Sequence, residues 1–453
     1  MPRPIVVLLT LITLQFHSNI LQADEVWQAG VAKTVITPPA PMWMSGYASR
    51  NKPAEGTIHD LYAKALVISD PFGHKSLLVT LDLVGIDRTT SRELCEQLAD
   101  KHGLQRSGVT ISTSHTHSGP VVGRNLMSMY SLDDENKRLV AEYTQFLSDS
   151  ILKITADAFG NLEPVSLQYG SSQATFAVNR RNNREPDVAM LRETGQLVGP
   201  VDHDVPLLVV RSLDGSLRTV LFGYACHATV LGGMDWCGDW PGFAQLEIER
   251  RHPGSTAMFI AGCGADQNPL PRKTVELAAD YGNQMADSVD RALAGPMQQV
   301  KGTLKTSYRE IDLAFDQLPS KVQIEADLKS ENVYIARRAA HLLDAISRAG
   351  QLSTTYPYPV QMLRLGDLQI VTLGGEVVVD YALRLKNELP GSKIWIAGYC
   401  NDVMAYIPSA RVLQEGGYEG ETAMIYYGLP TKWSTAVEDH IVQSVMELAE
   451  ETK

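Results

Sequence analysis

His115 and His117 stand two residues apart in Ser114-His115-Thr116-His117-Ser118-Gly119-Pro120, directly after the β-branched run Val109 to Thr113. That run reads as a strand which cannot continue past Gly119-Pro120. If the backbone stays extended through Thr116, both imidazoles point to one face and enter one cleft. Two imidazoles so placed suit metal ligation; the same pair could instead be hydrogen-bonded polar residues at a loop mouth.

Three further strand ends carry comparable chemistry. His227 follows the run Thr219 to Tyr224, where a neutral imidazole can be a zinc ligand or a satisfied structural residue. The run Gln369 to Leu373 passes through Gly374-Gly375 into Glu376, which reads as opening a helix. A carboxylate there is either a ligand or an acid favoured by the helix dipole. Lys393 to Ala397 leads to Tyr399 and Tyr406, and Tyr418-Glu419-Gly420 comes later. Tyrosines in such loops are packing residues or proton donors. Active sites of α/β sheets gather where strands end and loops begin.

Those strands belong to a longer series that must position the loops. Strand patterns fall at 63–68, 76–81, 109–113, 165–169, 207–211, 219–224, 258–261, 360–365, 369–373 and 393–397. Asp214-Gly215 and Gly366-Asp367 supply turn chemistry for two hairpins. Helical periodicity runs over 88–102, 136–159, 275–294, 321–349, 377–388 and 434–450. No repeat, low-complexity tract or linker interrupts the series. The interleaving predicts an α/β (mixed α+β) fold: a mixed sheet flanked by helices, one large catalytic domain, with the site at strand ends.

Composition narrows the partners. The formal charge is −12, with 52 acidic against 40 basic residues, which disfavours nucleic acid and anionic bilayers. Met1 to Ala23, with Arg3 and an apolar run from Ile5 to Leu14, reads as a cleavable signal, so residues 24–453 form the expected mature, secreted or periplasmic protein. No later run is long enough for a membrane helix. Five cysteines, at 95, 226, 237, 263 and 400, are too few for a disulfide framework; Cys226 and Cys237 are close enough in sequence to pair.

Taken in order, these motifs resemble the catalytic domain of the neutral, non-lysosomal ceramidase family. The likeness starts at Met44-Ser45-Gly46-Tyr47-Ala48 and Gly56-Thr57-Ile58-His59 and continues through the His115 segment, where Ser114 replaces a Thr. It then takes in Asn179-Arg180, Ala225-Cys226-His227, Cys237-Gly238-Asp239, Gly375-Glu376 and Tyr418-Glu419-Gly420. The resemblance implies one zinc ion per chain held by His115, His227, Glu376 and Tyr406, with His117, Arg180 and Tyr418 around the substrate carbonyl. Such a shell of imidazole, carboxylate and phenol suits zinc.

One departure from the family stands at Gln267, where a Ser described as a nucleophile in some members is expected. Asp266, Gln267 and Asn268 are the substrate-contact candidates on that loop, which could equally be a turn. An accessory immunoglobulin-like domain common in the family is not expected here. The implied activity is hydrolysis of the N-acyl bond of ceramide or a related small-molecule or lipid substrate by zinc-activated water. The alternatives are a divergent zinc hydrolase acting on another amide or ester, and a non-catalytic binding protein of the same fold.

Overall fold

The computed structural model describes residues 26–453; the expected signal segment lies outside the described residues. Twelve longer strands build the two larger sheets, and the two-residue strand Gln298–Gln299 adds to the first of them by pairing with Glu163–Gln173. In chain order the twelve are β1 (Trp27–Val35), β2 (Tyr62–Ser69), β3 (Lys75–Leu81), β4 (Val109–Thr113), β5 (Glu163–Gln173), β6 (Asp204–Ser212), β7 (Leu217–Tyr224), β8 (Thr256–Ala261), β9 (Leu304–Ala314), β10 (Thr355–Leu365), β11 (Leu368–Leu373) and β12 (Ile394–Ala397). The main sheet has the order β8-β7-β6-β5-β1-β2-β3-β4, and the smaller one β9-β10-β11-β12.

All ten predicted strands and both hairpins are present, so the mixed α/β reading holds. The inner strands of the main sheet are antiparallel, and each edge closes with a parallel pair, β3 with β4 and β7 with β8. Those parallel pairs require crossover helices, supplied by Arg88–His102 and Asp239–Arg251. The smaller sheet repeats the device, with parallel β11 and β12 joined through the helix Val379–Glu388.

Side-chain alternation sorts the core into layers. In β2, Ala63, Ala65 and Val67 pack toward the helix Asp134–Gly160, whereas Leu66 and Ile68 face the second sheet. In β10, Leu363 and Leu365 meet that inner layer, while Tyr358, Val360 and Met362 turn outward toward the helices Val379–Glu388 and Val437–Glu451. The result is helix, sheet, sheet, helix. Trp395 of β12 anchors the inner layer against Gly223 of β7, where a Cβ would sit 2.7 Å from the indole.

Three expectations are corrected. The helical pattern over 321–349 is two helices, Lys321–Asp327 and Val333–Ala349, because Asn332 caps the second one and breaks the run. Glu376 does not open a helix. It lies in a two-residue strand, and the helix begins at Val379. Cys226 and Cys237 form no disulfide; all five thiols are free and buried, and the Cys237 sulfur instead faces His59 Nε2 at 3.2 Å.

Candidate metal centre and active site

The carboxyl ends of the three parallel pairs converge. The chain leaving β12 is bonded to both edge strands of the main sheet: Gly398 N–H donates to the Ala261 carbonyl (3.0 Å) and Asn401 N–H to the Ile111 carbonyl (2.6 Å). The segments after β4, β7, β8, β11 and β12 therefore face one another, as expected for sites built at strand ends.

The path that brings His115 and His117 together is not the extended one predicted. His115 has a left-handed backbone, φ 60°. Ser114 N–H is held by the Leu81 carbonyl and His117 N–H by that of Ala228, so the chain turns between two anchors. The imidazoles still meet, with Nε2 of one 3.2 Å from Nε2 of the other.

His115 Nδ1 lies 2.6 Å from the Val84 carbonyl and His227 Nδ1 lies 2.8 Å from that of Gly264. A carbonyl only accepts, so each Nδ1 carries the proton and each Nε2 of a neutral ring presents a lone pair. Both lone pairs face the same atom. Glu376 Oε2 is 3.0 Å from His115 Nε2 and 3.1 Å from His227 Nε2. Three acceptors in contact need a shared cation. Burial, helped by the Arg180 charge, holds the His227 imidazole down to about 4, so it stays neutral at pH 7. Burial would raise the Glu376 carboxyl, and only positive charge on the His115 and His227 side outweighs it and holds it well below the usual carboxylate range, so the carboxylate makes the same demand for a cation. The donor set thus fits a metal ion. Among the described residues, His115, His117 and His227 also bring their ring nitrogens close enough together to share an ion.

Glu376 and Tyr406 are register partners in a parallel pair, Glu376–Val377 with Tyr406–Ile407, so their side chains lie side by side. Gly375 makes the pairing possible: its φ is +71°, and a Cβ there would lie 2.7 Å from the Ala405 carbonyl oxygen. The Tyr406 hydroxyl is 3.5 Å from His227 Nε2 and accepts from an Arg180 Nη at 3.1 Å. The remaining nitrogens of Arg180 donate to Glu419 (2.8 Å) and Asn268 (3.2 Å). Tyr418 packs edge-on against Tyr406, ring centroids 5.3 Å apart, and keeps 42% of its surface exposed. The His117 ring is half-buried beside this group; desolvation pushes it well below its ordinary value, and its Nδ1 has no hydrogen-bond partner.

The Asp266-Gln267-Asn268 loop divides. Asn268 meets Arg180, as above, whereas Asp266 and Gln267 face away from it. Asp266 Oδ1 accepts the Val379 N–H (2.8 Å) at a helix start, and its Oδ2 accepts from Asn179 (3.1 Å). The Gln267 carboxamide accepts the Asp202 N–H (2.9 Å) and donates to the Ala225 carbonyl, with both bonds to main chain. Both side chains brace the protein itself in this structure: Asp266 ties a helix start to Asn179, and Gln267 ties two stretches of main chain together. Missed from the sequence are Tyr427, whose hydroxyl donates to Glu376 Oε1, and the Val84 and Gly264 carbonyls. Glu419 stood inside a recognised motif without a role. Tyr427 carried no spacing signal, and carbonyl groups leave none.

Fold and site together define a mixed α/β protein with a buried imidazole–carboxylate centre at its strand ends. The profile of the family described as "Neutral/alkaline non-lysosomal ceramidase, N-terminal" matches residues 27–268. The chain belongs to that family. It is 24% identical over 307 residues to the neutral ceramidase of Drosophila pseudoobscura pseudoobscura, covering 66% of this chain and 40% of that protein. It is 22% identical over 498 residues to the neutral ceramidase of Mycobacterium tuberculosis, covering 90% of this chain and 74% of that one. The chain thus spans about 40% of the length of the fly relatives it matches. Among solved structures, the neutral ceramidase from Pseudomonas aeruginosa shares the fold with a TM-score of 0.72 at 19% identity, over 94% of this chain and 74% of that one. A ceramidase complexed with C2 gives 0.73 at 19% identity, over 94% of this chain and 75% of that one. No helix among the described residues is long and apolar enough to cross a membrane.

Proposed function

We propose that the protein is an exported, zinc-dependent amide hydrolase that cleaves the N-acyl bond of ceramide or a related N-acylated compound. The observation that carries this reading is the meeting of two carbonyl-anchored imidazoles on one oxygen of Glu376. His115, His227 and Glu376 would hold the ion, with the Tyr406 hydroxyl as a fourth, weaker donor. When bound, zinc supplies an acidified water, with a pKa of about 7, and polarises a carbonyl oxygen.

The other groups have work that follows from their surroundings. His117, kept neutral by burial, accepts a proton at Nε2 and returns it to the departing amine nitrogen. Arg180 is held by Glu419, Asn268 and Tyr406, so its charge is fixed in place before substrate arrives. With the Tyr418 hydroxyl it stabilises negative charge on the carbonyl oxygen, worth about 3 kcal/mol for one such donor. Gln267 offers no nucleophile, and its bonds to main chain leave water as the attacking group.

The test is fatty-acid release from a short-chain ceramide by purified residues 24–453, with and without a zinc chelator. Release that stops with chelator and returns with added zinc is expected. Release unaffected by complete metal removal would overturn the reading.

A further inference from the structure

We infer that the cleft beside Arg180 binds an anionic group on the amine side of the substrate, which makes acidic N-acyl amides, such as N-acyl amino acids, the preferred class. This rests on the amide-hydrolase reading above. The cleft has a volume of about 470 Å³ and is walled by the segments 180–185, 268–272 and 415–419, so Arg180, Asn268 and Tyr418 belong to it. Four guanidiniums line it, those of Arg180, Arg181, Arg184 and Arg272, against the three carboxylates of Glu185, Glu415 and Glu419. On a chain of net charge −12 this is a local excess of positive charge.

The arginines are not equally occupied. Arg181 is spent on Glu415, Glu419 and the Gly416 carbonyl. Arg272 gives Nε and one Nη to Glu185, at 3.0 and 2.8 Å, and its other Nη stays outside that pair. Arg184 is 85% exposed, and its nearest carboxylate, on Asp187, is 4.0 Å away. Donors are therefore available for one more anion.

An N-acyl compound has two arms beyond its amide, and the acyl arm is a hydrocarbon. Leu270 is the one aliphatic side chain in the cleft wall, so an alkyl chain placed here would strip water from guanidiniums and return nothing. The cleft therefore takes the other arm. A compact carboxylate or sulfonate on that arm would meet Arg184 and Arg272 in charge-assisted hydrogen bonds. The reaction balances as plain hydrolysis: the C–N bond breaks, hydroxyl goes to the acyl carbon, and the proton goes to nitrogen, giving a fatty acid and a free amino acid.

The experiment compares kcat/KM for N-lauroylglycine, N-lauroyltaurine and the uncharged N-lauroylethanolamine, with short-chain ceramide in parallel, for the wild-type protein and the variants Arg184→Gln, Arg184→Lys and Arg272→Gln. The anionic amides should lead the uncharged one by about tenfold or more, and added salt should shrink that lead. Arg184→Gln, at an exposed position that folding does not depend on, should cut the ratio severalfold, and Arg184→Lys should restore most of it. A lead for glycine alone or taurine alone identifies which anion the cleft takes. Equal rates on charged and uncharged amides, or a lead that survives both Gln variants, overturns the inference while ceramide turnover keeps the parent reading standing. Silence on all four substrates removes both.

Discussion

At the scale of single residues, the centre is explained by where protons sit. His115 and His227 are each tied at Nδ1 to a main-chain carbonyl, so in the neutral rings the free nitrogens present lone pairs, and both face the same Glu376 oxygen. Outer partners of this kind fix the tautomer of a metal-binding imidazole. The consequence can be measured without metal. Unfolded His227 takes up its proton near the ordinary value of about 6.5, and the folded protein does so only at about 4. Between those values the unfolded state binds more protons, so this contribution to stability is present in full above pH 6.5 and is lost as pH falls toward 4. Denaturant midpoints of the metal-free protein at pH 7 and pH 5 should fall further for wild type than for His227→Gln. An equal fall in both would show that His227 is not the residue responsible.

Tyr427 lies one layer out, with its hydroxyl donating to the Glu376 oxygen that does not face the imidazoles. Tyr427→Phe removes that donor and leaves a buried carboxylate oxygen unpartnered. Outer partners of this kind are worth about 10–100-fold in metal affinity, and that loss is expected in a chelator competition titration. An unchanged zinc affinity would reduce Tyr427 to a packing residue.

At the scale of elements, the sequence was most informative where burial imposes a period. β4, with all five residues buried, and the helix Arg88–His102, capped by Asp87 and ended by Gly103, fall at the predicted boundaries. β9 was missed because it is an edge strand carrying Lys305, Arg309, Glu310 and Asp312, the charges that keep an exposed edge from pairing. The helix Asp239–Arg251 was missed because it opens Asp-Trp-Pro-Gly; a first helical turn tolerates Pro, but that string reads as a turn. The site was legible in its residue types, since each candidate ligand follows a strand. Its connections were not. No local pattern announces that Glu376 and Tyr406, thirty positions apart, are strand partners, or that Gly264 lies under His227. Gly264 has no room for a side chain, as a Cβ would fall 2.4 Å from the Cys226 nitrogen.

At the scale of the whole molecule, the centre straddles the two sheets. His115 and His227 leave β4 and β7 of the main sheet, whereas Glu376 and Tyr406 follow β11 and β12 of the smaller one. An ion held by both pairs would bridge sheets that already meet through apolar packing around Trp395, the bonds of Gly398 and Asn401, and those of Gln361 to Thr110 and Val109. Such a clamp stabilises the folded state in proportion to its occupancy, by about 2.7 kcal/mol when free metal is a hundred times its Kd. Thermal unfolding followed with and without chelator should therefore give a lower midpoint for the stripped protein, restored by zinc in a concentration-dependent way. Glu376→Gln keeps the size of the side chain and removes its charge, so it should abolish the metal-dependent part of the shift while the protein stays folded. A zinc-dependent shift that persists in Glu376→Gln, and persists again in His115→Ala, would put the bound ion outside the sheet junction and remove the clamp.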